Sequence, residues 1–562
     1  MPRGSVILKS ANSATDHIRF KTIGFAESLL GEPPVVRQMT GHRMLTVSRK
    51  CLDRVVALAM AWHLTADPKF LKRAEREMLA SAGFPDWNPA HFLDVAEMTA
   101  ALAIGYDWLY CDLDHGVRDT IRSAILNKGL LASFVGGHRW VHGTNNWNQV
   151  CNGGLVLGAL ALAEEQPELA AKIINRALES LPAAMSAYAP DGAYPEGPTY
   201  WGYGSLYSAL MVCALETALG SDFRQTEYPG FLESTNFMAH STGPTGLFHN
   251  YSDARLVPEV FPAMFWFAEK ARSPQILWHQ AQLVDGAETD ERNLFPLVLL
   301  WSGQLSEFVC PEHLDWHGQG PNPVAFFRSG WDRESAFVGI KAGSPGVSHG
   351  HMDAGSFVFD SGGVRWVVDP GIQDYASLGE LGDGLFDMAQ HSQRWQIFRM
   401  SNHSHSTLQF GDGLQNVSGF ASLKVKNVGG CSPSASINLS EIYREFADSV
   451  TREIRFDDRR SLRICDAITG ARCSKIIWQI PTLADLEIMG KSVGLSQSGR
   501  SVMVAADVPG NFNWSIVDVA RPRSPLDAAN PGLKLLQLRQ DPIANASVLF
   551  EITIAPEDSS LL

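Results

Sequence analysis

The sequence predicts a multidomain α and β protein, a helical N-terminal part followed by a C-terminal antiparallel β-sandwich. Three observations carry this. Before about residue 310, apolar residues recur at three- and four-residue intervals. From about residue 320, short alternating segments follow one another between Gly, Asp and Asn turns. A chain of 562 residues also exceeds one ordinary core, so two or three domains are expected. The expected division is a helical domain over 1–310, a linker over 311–323 (PEHLDWHGQGPNP) and a sandwich over 324–562.

Helical periodicity is clearest at 51–64, 93–110, 154–165, 168–188 and 205–219, and Gly, Pro, Asn and Trp punctuate the stretches between. Helices in succession with no strands between them imply a layer of helical hairpins. Later segments such as SAFVGIKAG, GSFVFDSGG, STLQFGDG, SLRICDAITG and SVLFEITIAP alternate at strand period. No internal repeat of fixed period is visible.

Composition narrows the function classes. With 45% hydrophobic and 19% charged residues the chain is globular. A net charge of −14 argues against nucleic acid, which requires a basic surface. The same charge disfavours long-range capture of an acidic polymer, so short oligosaccharides suit an acidic substrate better. No run of eighteen apolar residues suggests a membrane span. The start, MPRGSVILKSANSATDHIRF, shows no apolar signal core, so the expectation is a cytoplasmic protein, or a periplasmic or secreted one if a signal was removed. Eight cysteines without CxxC spacing read as free, buried thiols.

The densest chemistry lies between His349 and Leu408, which reads HGHMDAGSF, GGVRWVVDPG and SHSTL in order. On a β-strand His349 and His351 would leave the same face. Asp369 follows His351 by 18 residues, and His405 follows Asp369 by 36. Two imidazoles and a carboxylate suit a borderline cation such as zinc, with an open fourth position. In the helical part, HGTNNWNQVCNGG (142–154) gathers Asn145, Asn146, Trp147, Asn148 and Asn152, any one of which could be a cap or turn residue. DGAYPEGPTYWGYGSLY (191–207) surrounds Glu196 with Tyr194, Tyr200, Trp201, Tyr203 and Tyr207, rings that could stack on sugars at a helix entrance.

These motifs, with FFRSGWD (326–332), VGIKAGS (338–344) and FRMSNHSHSTL (398–408), resemble the C-terminal region of the heparinase II/III-like polysaccharide lyases over about eighty residues. The resemblance turns the helical hairpins into an (α/α) toroid and implies cleavage of 4-O-linked uronic-acid glycans by β-elimination. It places catalytic roles on Asn145 or Asn146, Tyr200 and His349, and one mainly structural zinc on His351, Asp369 and His405. His403 is the alternative ligand, and Asp353 is expected to hold a turn. Substrate contacts are expected from Trp147, Asn148, Glu196, Trp201, Tyr203, Arg328 and Arg399, with Lys341 and Arg394 as further cations in the matched region.

The chemistry explains those residue types. The C5 proton of a uronoside is weakly acidic beside its carboxylate, an amide can stabilise the enolate-like charge, and Tyr or His can move the proton. The alternative is an inactive glycan-binding protein of the same fold. A toroid glycoside hydrolase would need opposed carboxylates, for which Asp191 and Glu196 are the candidates. The expected partner is an acidic oligo- or polysaccharide, with neither nucleic acid nor membrane and with a homodimer left open.

Overall fold

The computed structural model describes residues 13–286, 294–304, 309–510, 512–541 and 546–557; residues 1–12, read above for a leader, lie outside them. The chain separates into two units. Met1–Ala187, Tyr200–Thr235 and Glu259–Val309 form one, and Tyr188–Thr199, Asn236–Pro258 and Cys310–Leu562 form the other. The change of texture near residue 310 is thus a unit boundary, but two stretches from the helical half, 188–199 and 236–258, belong with the strands.

The helices are α1 (Ser13–Ser28), α2 (Leu45–Thr65), α3 (Pro68–Ala82), α4 (Phe92–Trp108), α5 (His115–Ala124), α6 (Asn146–Ala161), α7 (Pro167–Met185), α8 (Pro198–Leu219), α9 (Ser234–Ser241), α10 (Pro262–Ala271) and α11 (Trp278–Gly286). Helices α2, α4 and α6 pack in succession, and every residue of α4 from Phe92 to Tyr106 is buried. A helix apolar all round must be covered on all sides. Helices α3 and α7 bury a single stripe each, for example Phe70, Ala74, Met78 and Ala82, and cover α2 and α6 from outside. An inner and an outer row of helical hairpins is the layering of an (α/α) toroid. All five expected helices form, but α6 and α8 start at Asn146 and Pro198, seven or eight residues before the periodicity shows. A cap rather than apolar spacing sets the start of α6, where the Asn145 side chain accepts the Trp147 amide, and α8 opens on Pro198.

The strands are β1 (Asp315–Gly318), β2 (Val324–Arg328), β3 (Phe337–Lys341), β4 (Phe357–Ser361), β5 (Val364–Val367), β6 (Gln409–Phe410), β7 (Ser422–Lys426), β8 (Ser434–Asn438), β9 (Ser449–Asp457), β10 (Ser461–Thr469), β11 (Ile476–Thr482), β12 (Asp485–Met489), β13 (Ser492–Gln497), β14 (Arg500–Asp507), β15 (Asn513–Asp518), β16 (Lys534–Gln540) and β17 (Val548–Pro556). They form antiparallel sheets ordered β1-β2-β3-β4-β5, β12-β13-β14-β17-β10-β9-β8-β7 and β15-β16-β11-β6. One core joins all three, with Phe327, Ile340 and Phe359 from the first, Ile454, Ile464 and Ile552 from the second and Trp478 and Leu538 from the third. Part of the segment expected to be a linker is the edge strand β1, whose Trp316 pairs with Phe326 and stacks on its ring. An aromatic in mid-segment signals burial, which a linker lacks. All eight cysteines are free, but Cys111, Cys310 and Cys431 are exposed rather than buried.

Close approach of α4 and α6 depends on Gly154, where an added Cβ would collide with the Ala96 carbonyl. Gly154→Ala should destabilise the protein by about 1–3 kcal/mol through overpacking. Gly24→Ala, in open space on α1, should stabilise it by about 0.5–1 kcal/mol. Urea unfolding of the two variants checks the pair; equal effects would remove the packing argument.

Candidate functional site

In the helical unit, the asparagine pair divides its labour. Asn145 is the N-cap of α6, its Oδ1 accepting the Trp147 amide at 3.2 Å. Asn146 is buried in the first turn, beside Gly204 of α8. Asn148 and Asn152 instead form a polar brace between α6 and α7: Asn148 Nδ2 donates to the Val141 and Ser180 carbonyls, and Asn152 Nδ2 to Asn148 Oδ1 and Ser180 Oγ. Trp147 is half-buried and stands edge-on to His91, ring centroids 4.8 Å apart. Tyr200 is half-buried in the first turn of α8.

Tyr203 donates its phenol proton to Glu97 at 2.6 Å, and Glu97 also accepts from Ser48 Oγ and Arg49 Nε. Burial first, and then the Glu97 charge, holds the Tyr203 phenol well above its usual pKa, so it stays protonated. Trp201 is fully buried with Nε1 on Ser234 Oγ, which removes it from any role in stacking on a sugar.

In the second unit, the HxH pair does not lie on a strand. Residues 349–351 sit in the loop between β3 and β4, and His349 has φ +57°. A left-handed residue breaks strand alternation, so the two imidazoles are placed by side-chain bonds rather than by pleat. The organising group is Asp253, absent from the sequence reading. Its Oδ1 meets His351 Nε2 at 2.9 Å, and its Oδ2 meets His349 Nδ1 at 3.2 Å, the Tyr375 hydroxyl at 2.6 Å and Arg394 Nη2 at 2.8 Å. Burial alone would raise the Asp253 carboxyl; Arg394 and the two histidines outweigh it and hold it well below the usual range. On its other side, His349 Nε2 lies 3.6 Å from the buried Glu196 carboxylate, which accepts from the Tyr194 hydroxyl at 3.3 Å.

SNHSH likewise forms a loop, not a strand, held by Gln479 Nε2 on the carbonyls of Asn402, His403 and His405. His405 Nδ1 meets Asp369 Oδ2 at 2.8 Å, and Asp369 Oδ1 accepts the Gly371 amide. Asp369 and His405, two of the three expected ligands, are thus bonded to each other. His351 Nδ1 and His405 Nε2 are buried without hydrogen-bond partners, on rings 5.4 Å apart. Two orphan imidazole nitrogens, each ring backed by a carboxylate, are donors of the kind zinc takes. They fit two positions of a zinc site; among the described residues no group of three His, Cys, Asp or Glu is arranged to hold an ion. His403 turns away to Gln409, and Asp353 pairs with the buried Lys341.

Residues 318–522, which contain both loops, match the family model described as Heparinase II/III-like, C-terminal. The matched stretch lies within the strand-rich unit, over β2 to β15. The fold of the whole chain is shared with solved structures of low sequence identity. A heparinase III is 12% identical, with TM-score 0.65, covering 96% of this chain and 84% of the other. The heparan sulfate lyase HepC from Pedobacter heparinus is 14% identical, with TM-score 0.62 and coverage of 99% and 85%. A chondroitin AC lyase variant from Streptomyces coelicolor A3 is 14% identical, with TM-score 0.56 and coverage of 98% and 80%. No curated protein sequence matches the chain.

In the second unit the arginines expected at substrate are bonded to backbone and side-chain groups of the protein itself. Arg328 is fully buried, bonded to the His240 and Thr242 carbonyls and stacked 3.6 Å from the Trp331 ring, and burial lowers its pKa to about 9. Arg399 reaches Asn530 and the carbonyls of Ile372 and Ala529. Asp191, needed by a hydrolase reading, accepts the Gln319 amide with both oxygens. Asp253 and Tyr375 escaped the sequence because neither lies in the histidine motifs. The one hint is that Asn250-Tyr251-Ser252-Asp253 lacks the apolar spacing of a helix and the Gly or Pro of a turn.

His249, packed edge-on to Tyr251 and Phe326, is held neutral by burial, its pKa lowered to about 3. The unfolded chain takes up this proton near pH 6.5 and the folded one does not, so stability falls as pH drops from about 6.5 toward 3, by up to roughly 1.4 kcal/mol per pH unit. His249→Phe should flatten the acid side of a stability-against-pH curve by about one proton. An unchanged slope would mean that His249 is protonated in the fold.

Proposed function

We propose that the chain is a polysaccharide or oligosaccharide lyase that cleaves 4-O-linked uronic-acid glycans, of glycosaminoglycan or alginate type, by β-elimination. The observation that carries this is His349: a left-handed residue in the stretch that matches the heparinase II/III-like model, its imidazole held between the carboxylates of Asp253 and Glu196. A histidine that takes the C5 proton becomes an imidazolium, and carboxylates on either side stabilise that charge as it forms. Asn146, buried in the first turn of α6, is the amide proposed for the enolate; Asn145 spends its Oδ1 on the cap and keeps Nδ2 as a donor, which makes it the alternative. Tyr200 is proposed to give its phenol proton to O4 as the C4–O4 bond breaks, while His349 keeps the proton taken from C5. Heparan sulfate and chondroitin, after which two of the lyases of similar fold are named, are the first substrates to try.

Zinc, when bound, would be held by His351 Nδ1 and His405 Nε2 and would supply structural order to the two loops. Protein purified without chelator should contain close to one equivalent of zinc by elemental analysis. Less than about one-tenth of an equivalent would argue against it.

Heparan sulfate, chondroitin sulfate, hyaluronan and alginate should be incubated with the protein and the ultraviolet absorbance of unsaturated uronyl ends recorded. On a turned-over substrate, Asn146→Ala should lower kcat by roughly 10²–10³, the scale of one lost oxyanion donor, while binding falls less. Asn145→Ala should chiefly cost about 1 kcal/mol of stability as a lost cap. Tyr200→Phe should abolish turnover with the fold intact. A protein that binds these glycans and yields no unsaturated product from any of them is a binding protein, and the lyase reading falls.

A further inference from the structure

We infer that Asp253 is a positioning residue that serves two imidazoles at once, setting the tautomer of His349 through Nδ1 and that of His351 through Nε2. The inference rests on the lyase reading for what His349 then does. A carboxylate only accepts hydrogen bonds, so both ring nitrogens facing it must donate. In a neutral His349 that leaves the lone pair on Nε2, since the Glu196 oxygen at 3.6 Å is beyond hydrogen-bond distance; in His351 it leaves the lone pair on Nδ1, the orphan nitrogen of the zinc pair.

The surrounding bonds make this arrangement hard to exchange for another. Asp253 is fully buried, and its own amide donates to the His349 carbonyl at 3.0 Å. Arg394 grips the carboxylate and, with Nε and Nη2, the carbonyl of Gly350 between the two histidines. The Tyr375 hydroxyl gives its proton to Asp253 and lies 2.8 Å from His349 Nδ1, where its oxygen can share the imidazole proton. Ser252 and His349 both occupy left-handed backbone, φ +57° each. Such strain persists where tertiary bonds over-determine the loop. A single carboxylate therefore ties the nitrogen proposed to move the proton to the nitrogen proposed to hold the metal.

Nitrogen-15 spectra of histidine-labelled protein test this without any substrate. They should show His349 as the Nδ1–H tautomer and His351 as the Nε2–H tautomer, and Asp253→Asn should mix both. Competition with a chromophoric chelator should show zinc affinity falling by roughly 10- to 100-fold in Asp253→Asn, the scale of a lost carboxylate behind a ligating histidine. On any turned-over glycan the same variant should lose kcat at least tenfold at saturating zinc, with KM near the parent value. Tyr375→Phe, at a half-buried position, should lower kcat and leave zinc affinity unchanged, and it keeps the inference testable if Asp253→Asn does not fold. Loss of zinc affinity alone, of kcat alone, or the opposite tautomer at either histidine overturns the dual role. Absence of lyase product from the parent protein refutes the lyase reading instead, and the tautomers and zinc affinity still decide whether Asp253 sets both rings.

Discussion

Taking a carboxylate out of water costs several kcal/mol unless charge and hydrogen bonds replace its hydration. Asp253 meets that condition with an arginine, two imidazoles and a phenol, all drawn from segments distant in sequence. The dependence runs both ways. Without the carboxylate, Arg394 would lose a buried counter-charge, and each histidine of the HxH pair would lose a bond that orients its ring. The loop at 349–351 has no strand ladder of its own, so its conformation is a consequence of these side-chain bonds.

The second loop is built on the same logic. Residues 401–408 lie in the interior without regular structure, a placement that requires every carbonyl to find a donor. Gln479 on β11 shares the two hydrogens of its Nε2 among three of those carbonyls. Arg452 on β9, paired with Asp466 on β10 in the sandwich core, reaches the carbonyls of Ser406 and Gly355. Strands that contribute no catalytic candidate thus hold the loops that do. Pairs such as Arg452 and Asp466 add little net stability over apolar packing, but they have few alternative geometries, which suits a site that needs its rings fixed.

Charge is distributed accordingly. A chain with net charge −14 does not draw an acidic glycan by its overall field, and several cations of the matched region are consumed internally by carbonyls and carboxylates. In the helical unit, Arg49 keeps part of its side chain exposed while its Nε is bonded to Glu97 and its guanidinium lies 4.9 Å from the Tyr203 ring. Recognition of a uronate in such a protein would rest on short-range bonds made inside a site, where desolvation strengthens them.

By itself the sequence determined the two textures, the helices around residues 51–64, 93–110 and 168–188, the strand-rich second half and the cluster of His349, His351, Asp369 and His405. Periodicity and ordered motifs are local properties, and they survive in any fold that uses them. Tertiary structure decided what those residues do. Asp369 is bonded to His405, Asn148 and Trp201 are buried and bonded to serines of the helical unit, and Arg328 and Arg399 are bonded to backbone carbonyls. Asp253, without a motif of its own, became the group on which the site is ordered. A hydrogen bond has no sequence signature when its partners are 96 to 141 residues apart, as those of Asp253 to His349 and Arg394 are; only the fold brings them within 3 Å or so of one another.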